Sequence, residues 1–160
     1  MQDRVGPPPE ISSDGPHRQV ADLSPPAMWG QLIARAIALP GVHEGLSQVS
    51  AASSRALFLD VVQTVRPETS LAPPDRELEP VHIHGVRDTS IHLCLPSDRV
   101  DDVISAGWGE EHPYSDWHSE IMVYGPRNDN EVEIVLALIE ESLTWARELN
   151  SQGFNFYQKM

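Results

Sequence analysis

The stretch VHIHGVRDTSIHLCL, residues 81–95, gathers three of the chain's seven histidines and its only cysteine. Imidazole titrates near neutrality and serves as base, proton carrier or metal ligand, so the spacing of these rings matters. In a strand the side chains alternate, which puts His82 and His84 on one face and Val81 and Ile83 on the other. The second half repeats the pattern, with Ser90, His92 and Cys94 against Ile91, Leu93 and Leu95. If residues 85–89 turn a hairpin, an in-register pairing opposes His92 to His82 or to His84. Either register gathers the three histidines and Cys94 on one face. Three half-polar rings are a poor way to build plain core and a reasonable way to line a cleft.

His84 or His92 is the candidate base, with the other orienting it, and His82 stands beside them. His112 follows Glu110 closely enough for that carboxylate to tune it, although Glu110 could equally be solvated. Arg127 precedes a helix N-terminus, where a guanidinium beside free backbone N–H groups makes an anion site. Its plainer role is a surface pair with Glu131, four residues on. Trp108 sits between two glycines and could wall a pocket or plug the core. Tyr124 could lend its hydroxyl or merely end a strand.

A metal is the competing chemistry: His82, His84 and His92 together, or two of them with Asp88 or Glu110. The His-x-His start is cupin-like, but the later glutamate and the second cupin histidine are missing. Cys94 lacks a dedicated partner for nucleophilic work. With no phosphate-cradling glycine loop after a strand either, no metal, flavin or haem is expected.

These residues need elements to hold them. Residues 1–23 contain four prolines before Pro25 and Pro26 and read as a flexible leader to a single domain over 24–160. Ser24 offers a cap for a helix with Met28, Trp29, Leu32, Ile33, Ala36 and Ile37 at helical spacing, closed by Pro40 and Gly41. Residues 42–54 show no clear period, RALFLDVV reads as a buried strand, and PETSLAPPDRELEP as a loop. After the histidine hairpin, Ser97 offers a cap for a short helix that stops at Gly107. GWGEEHPYSDWHSE reads as an ordered loop and EIMVYGP as a strand. From about Asp129 to Leu149, Val132, Val135, Leu136, Ile139, Leu143 and Ala146 form an apolar helical stripe. This order predicts an α+β fold, a mostly antiparallel sheet of about four strands with helices packed on one face.

Composition sets the limits. With 40% hydrophobic residues, 160 residues suit one domain. Eleven Lys and Arg against 24 Asp and Glu give a net charge of -13, which repels nucleic-acid phosphates and anionic lipid surfaces. No apolar run is long enough for a signal-peptide core or a membrane span, and one cysteine excludes an internal disulfide, so a cytoplasmic location is expected.

Taken together, His-x-His, Ser-Ile-His-Leu-x-Leu-Pro, Gly-Trp-Gly-Glu-x-His-Pro and Met-Val-Tyr-Gly-Pro-Arg, followed by an acidic long helix, resemble the small luciferase-domain proteins, the group that includes the luciferases of luminous fungi. The likeness covers about residues 55–147 and departs in the hairpin turn, where the family usually has a Pro-Asp-Gly-Ser type. It implies oxygen chemistry on an enolisable, polyketide- or pyrone-like small molecule, without a cofactor, in an α+β domain. The partners it implies are that substrate and molecular oxygen. Related decarboxylation or cyclisation, a histidine-ligated metal enzyme, and a binding module for a small hydrophobic ligand are the alternatives.

Overall fold

The computed structural model describes residues 1–113 and 115–151; the last nine residues of the expected domain lie outside them. Six strands form one antiparallel sheet in the order β1-β2-β3-β4-β6-β5. They are β1 (Val42–Leu46), β2 (Arg55–Leu59), β3 (Val81–Ile83), β4 (Ile91–Cys94), β5 (Gly109–Glu111) and β6 (Glu120–Val123). Three helices accompany them, α1 (Pro26–Ile37), α2 (Ser97–Ser105) and α3 (Asp129–Ser151). The α+β class is as expected, but the strand count is six rather than about four. The additional strands, β1 and β5, lie at the two sheet edges. Edge strands carry less of the apolar alternation that reveals a strand in sequence, because one or both faces stay partly wet. Thus β1 has no fully buried residue, and β5 is only Gly-Glu-Glu. No described helix is long and apolar enough to cross a membrane.

The helices sit on one sheet face. Leu57, Val81, Ile83, Ile91, Leu93, Ile121 and Val123 from the strands meet Trp29, Leu32 and Ala36 of α1 and Val132, Val135, Leu136, Ile139, Leu143 and Ala146 of α3 in one core. The sequence stripe on α3 is therefore the packed face. Burial of each large aliphatic side chain there contributes about 1.5–3 kcal/mol.

Both expected serine caps are displaced by one residue, to the proline next door. Pro25 and Pro96 hold the N-cap positions of α1 and α2, with no side-chain cap bond. The Ser24 N–H instead donates to Thr89 Oγ1 at 2.8 Å, which ties the start of α1 to the hairpin. Gly107 ends α2 as read, with φ at +79°, a conformation that favours glycine.

The hairpin register is His82 opposite His92, with Val81 opposite Leu93 and Ile83 opposite Ile91. The row continues across the sheet as Ala56, His82, His92, Met122 and Glu110. Against this histidine face lies part of residues 1–23. The Arg4 N–H donates to Ala106 O, the Gln19 N–H to Asp88 Oδ1, and the Gly125 N–H to Gln19 Oε1.

Candidate histidine-lined active site

Strand alternation and the hairpin register bring His82, His84 and His92 together as read from sequence. Their ring centroids form a triangle with sides of 5.1, 5.0 and 4.6 Å. His112, just beyond β5, adds a fourth ring 5.0 Å from His92. A fifth comes from the chain's first segment: His17 lies 5.6 Å from His92 and 5.1 Å from His112. Sequence spacing carried no signal for His17, whose neighbours are 65 or more positions away.

Carboxylates orient these rings. The Nδ1–H of His82 donates to Glu79 Oε1 at 2.9 Å, and Glu79 also accepts from the Ser47 hydroxyl and the Gln48 N–H. His84 Nδ1 lies 2.6 Å from Asp88 Oδ2 and 2.9 Å from Ser90 Oγ. A histidine bound through Nδ1–H keeps its lone pair on Nε2, so both rings present a basic nitrogen away from their carboxylate. His17 is held through the other atom, Nε2, 2.5 Å from Glu110 Oε1. Glu120 lies 3.8 Å from His92 Nδ1 and 3.6 Å from His112 Nδ1.

Burial sets the protonation states. Desolvation, followed by repulsion from His82, His84 and the other neighbouring rings, holds His92 well below its ordinary value. The same causes bring His112 to about 4. His82 is also lowered, because burial outweighs the help of Glu79. Burial opposes ionisation of Glu79, but bonds from His82, Ser47 and Gln48 prevail and lower it. Asp88 behaves alike through His84, Ser90 and Gln19. Glu120 shifts the other way. Desolvation and the nearby Asp116 raise it to about 7.

The rings open onto a cavity of about 800 Å³, walled by residues 16–18, 49–51, 53–54 and 85–88. Arg18 and Arg87 stand at its rim, and Glu120 and His112 at one side. Glu79, Glu120 and His17 were not singled out in the sequence.

The other sequence candidates lie elsewhere among the described residues. Trp108 is core, its indole N–H donating to Gln2 O at 2.7 Å. Arg127 pairs with Glu131, bonding through its backbone N–H at 2.8 Å and through its guanidinium, and also reaches Val5 O. That is the plainer of its two expected roles. The Tyr124 hydroxyl donates to Glu110 Oε2 at 3.2 Å, behind His17. Glu110 thus holds the first-segment histidine and backs the site rather than lining it. Cys94 is fully buried, and desolvation keeps it a thiol.

A family model described as a luciferase domain matches residues 77–142, the stretch holding Glu79, the hairpin, His112 and Glu120. Over this stretch the chain is similar to the luciferase-domain family. The chain is 32% identical over 74 residues to the luciferases of Armillaria gallica and Armillaria mellea, and 30% identical to that of Neonothopanus nambi. Each alignment covers 41% of this chain and 27% of the relative, so the chain matches just over a quarter of their length. A crystal structure of a protein from Pseudomonas syringae aligns with 74% of this chain and 97% of its own length, at 14% identity and a TM-score of 0.47.

Proposed function

We propose that this protein is an oxygenase of an enolisable small molecule, a polyketide- or pyrone-like compound held in the histidine-lined cavity. The observation that carries the reading is the juxtaposition of Glu120, poised near pH 7, with neutral imidazoles in one cavity of substrate size. A carboxylate with a value near the working pH is half ionised there and can both take and return a proton. Its neighbours His92 and His112 lie within 4 Å, so neutral rings flank the proton's path.

Removal of an acidic proton leaves an electron-rich enolate, the form of such a compound that oxygen attacks. The rim arginines Arg18 and Arg87 supply positive charge to an otherwise acidic chain. They take the anion-holding role that the sequence offered to Arg127. Burial of the ring cluster keeps bulk water from the reacting carbon. The names of the fungal relatives support oxidation of an organic substrate without specifying which one.

The test is oxygen consumption in a closed cell with a series of hydroxypyrones. Wild-type protein consumes oxygen with at least one of them, Glu120→Gln loses at least ~100-fold in rate, and the distant surface variant His43→Ala keeps it. Saturable binding of these compounds with no oxygen consumption would make the protein a binding module instead.

A further inference from the structure

We propose that His82, His84 and His92 form a binding site for one divalent transition-metal ion, with Nε2 of each ring as the ligand atom. One nitrogen from each of the three lies within 4.8 Å of the others, so small rotations of buried rings bring them onto a common centre. The three positions are a cross-strand pair and the next residue on the same face of β3, backed by the packed sheet.

Two independent observations give the nitrogens a purpose. The Nε2 atoms of His82 and His92 are buried and have no hydrogen-bond partner among the described residues, although such atoms in a folded protein are nearly always satisfied. Opposite them, Glu79 and Asp88 each clamp the Nδ1 of a ring whose Nε2 points inward. A carboxylate behind a histidine, itself fixed by further hydrogen bonds, is how proteins orient an imidazole toward a metal and raise its basicity. Ser47 and Gln48 fix Glu79, and Ser90 and the Gln19 N–H fix Asp88.

The second group of three, His17, His92 and His112, shares His92 and also sets a buried nitrogen, His17 Nδ1, opposite a carboxylate, Glu110, so it is the alternative position that the test must separate. Three imidazole nitrogens favour zinc, iron(II), cobalt or nickel over magnesium and calcium, which prefer oxygen ligands. The cavity leaves further positions on such an ion for a substrate oxygen. The expectation of no metal rested on an incomplete cupin pattern, whereas this geometry is a hairpin and needs no cupin barrel.

The experiment is titration of chelator-treated, full-length protein with cobalt(II), followed by calorimetry and by visible absorption of the bound ion. Wild type takes up one equivalent. His82→Ala and His92→Ala each weaken binding at least 100-fold, Glu79→Gln and Asp88→Asn weaken it about 10- to 100-fold, and His43→Ala leaves it unchanged. Should His82→Ala fail to fold by circular dichroism, His82→Gln and Glu79→Gln carry the test. Absence of saturable binding overturns the proposal. Binding that survives His82→Ala but is lost in His17→Ala also overturns it, by moving the ion to the other three histidines. The readout is binding, so it stands or falls separately from oxygen consumption.

Discussion

The two faces of the central strands differ by a single residue in register and by everything in chemistry. On one face Leu57, Val81, Leu93 and Ile121 pair across the sheet and pack under helices. On the other, Ala56, His82, His92 and Met122 pair across the same strands. Both rows are buried. The first is held by dispersion and exclusion of water, which reward close fit and nothing else. The second buries groups that favour water, and is tolerated because Glu79, Asp88 and Glu110 each engage a ring nitrogen. One hairpin thus separates the face that folds the chain from the face proposed to act on a ligand.

Adjacent residues give the sharpest contrast. Leu93→Ala should lower unfolding free energy by about 2–5 kcal/mol in urea denaturation, the range for a large-to-small change in a packed core. His92→Ala, one position away, should lower it by no more than ~1.5 kcal/mol, since its Nε2 has no bond to lose and the gap adjoins the cavity. Equal losses would mean that the histidine face is ordinary core.

A second variant strikes the support rather than the ring. Glu79→Ala strands His82, Ser47 and the Gln48 N–H without their acceptor, and should cost about 2–4 kcal/mol in the same measurement. Glu79→Gln keeps the shape and should cost roughly half of that. A negligible cost for Glu79→Ala would show that the clamp does not hold the face together.

Acidity distinguishes the faces again, because only one of them titrates. His82, His92 and His112 lie below the 6.5 of a free histidine, so between that value and their own the unfolded chain binds protons that the folded one refuses. Their stabilisation is complete above pH 6.5 and is lost as pH falls through their lowered folded values, about 4 in the case of His112. Glu120 acts in the opposite sense. It is raised from 4.5 to about 7, so the folded chain keeps its proton over that window and stability is lost as pH rises through it. Glu120→Gln removes this opposition, and the gain in stability from pH 5 to pH 7.5 should grow by roughly 1–2 kcal/mol. Identical pH profiles would place Glu120 in water.

The smallest effect concerns the segment that covers the histidine face. Gln19 is buried, accepts from Gly125 N–H and donates to Ala21 O and Asp22 O. Gln19→Ala should cost about 1 kcal/mol in thermal unfolding and leave the Leu93 face untouched. No shift in melting temperature would make this contact dispensable.

Alternation is a local signal, which is why both faces of the hairpin and the stripe of α3 were legible in the sequence. The edge strands were not. Val42–Leu46 carries Gly45 and two polar residues, and Gly109–Glu111 has no apolar side chain, so neither shows a strand's period. The site was half legible for a related reason. His82, His84, His92 and His112 stand on or beside strands whose pairing sets their positions. Glu79 hides in an acidic, proline-flanked loop, and His17 meets Glu110 across 93 positions. The plainer readings prevailed for Trp108 and Arg127, because an indole gains most from full burial and a guanidinium from a nearby carboxylate, here Glu131.

The covering segment has a consequence in time. Its long-range partners come late in the chain: Asp88 lies 69 positions beyond Gln19, Glu110 follows His17 by 93, and Arg127 follows Val5 by 122. Hairpins such as β1–β2 and β3–β4 can close over short loops while synthesis continues, but the long-range bonds of residues 2–22 cannot form until the strands and the start of α3 have left the ribosome. This stretch, translated ahead of its partners, therefore docks after them, and until it does the five-ring cluster lacks its fifth ring.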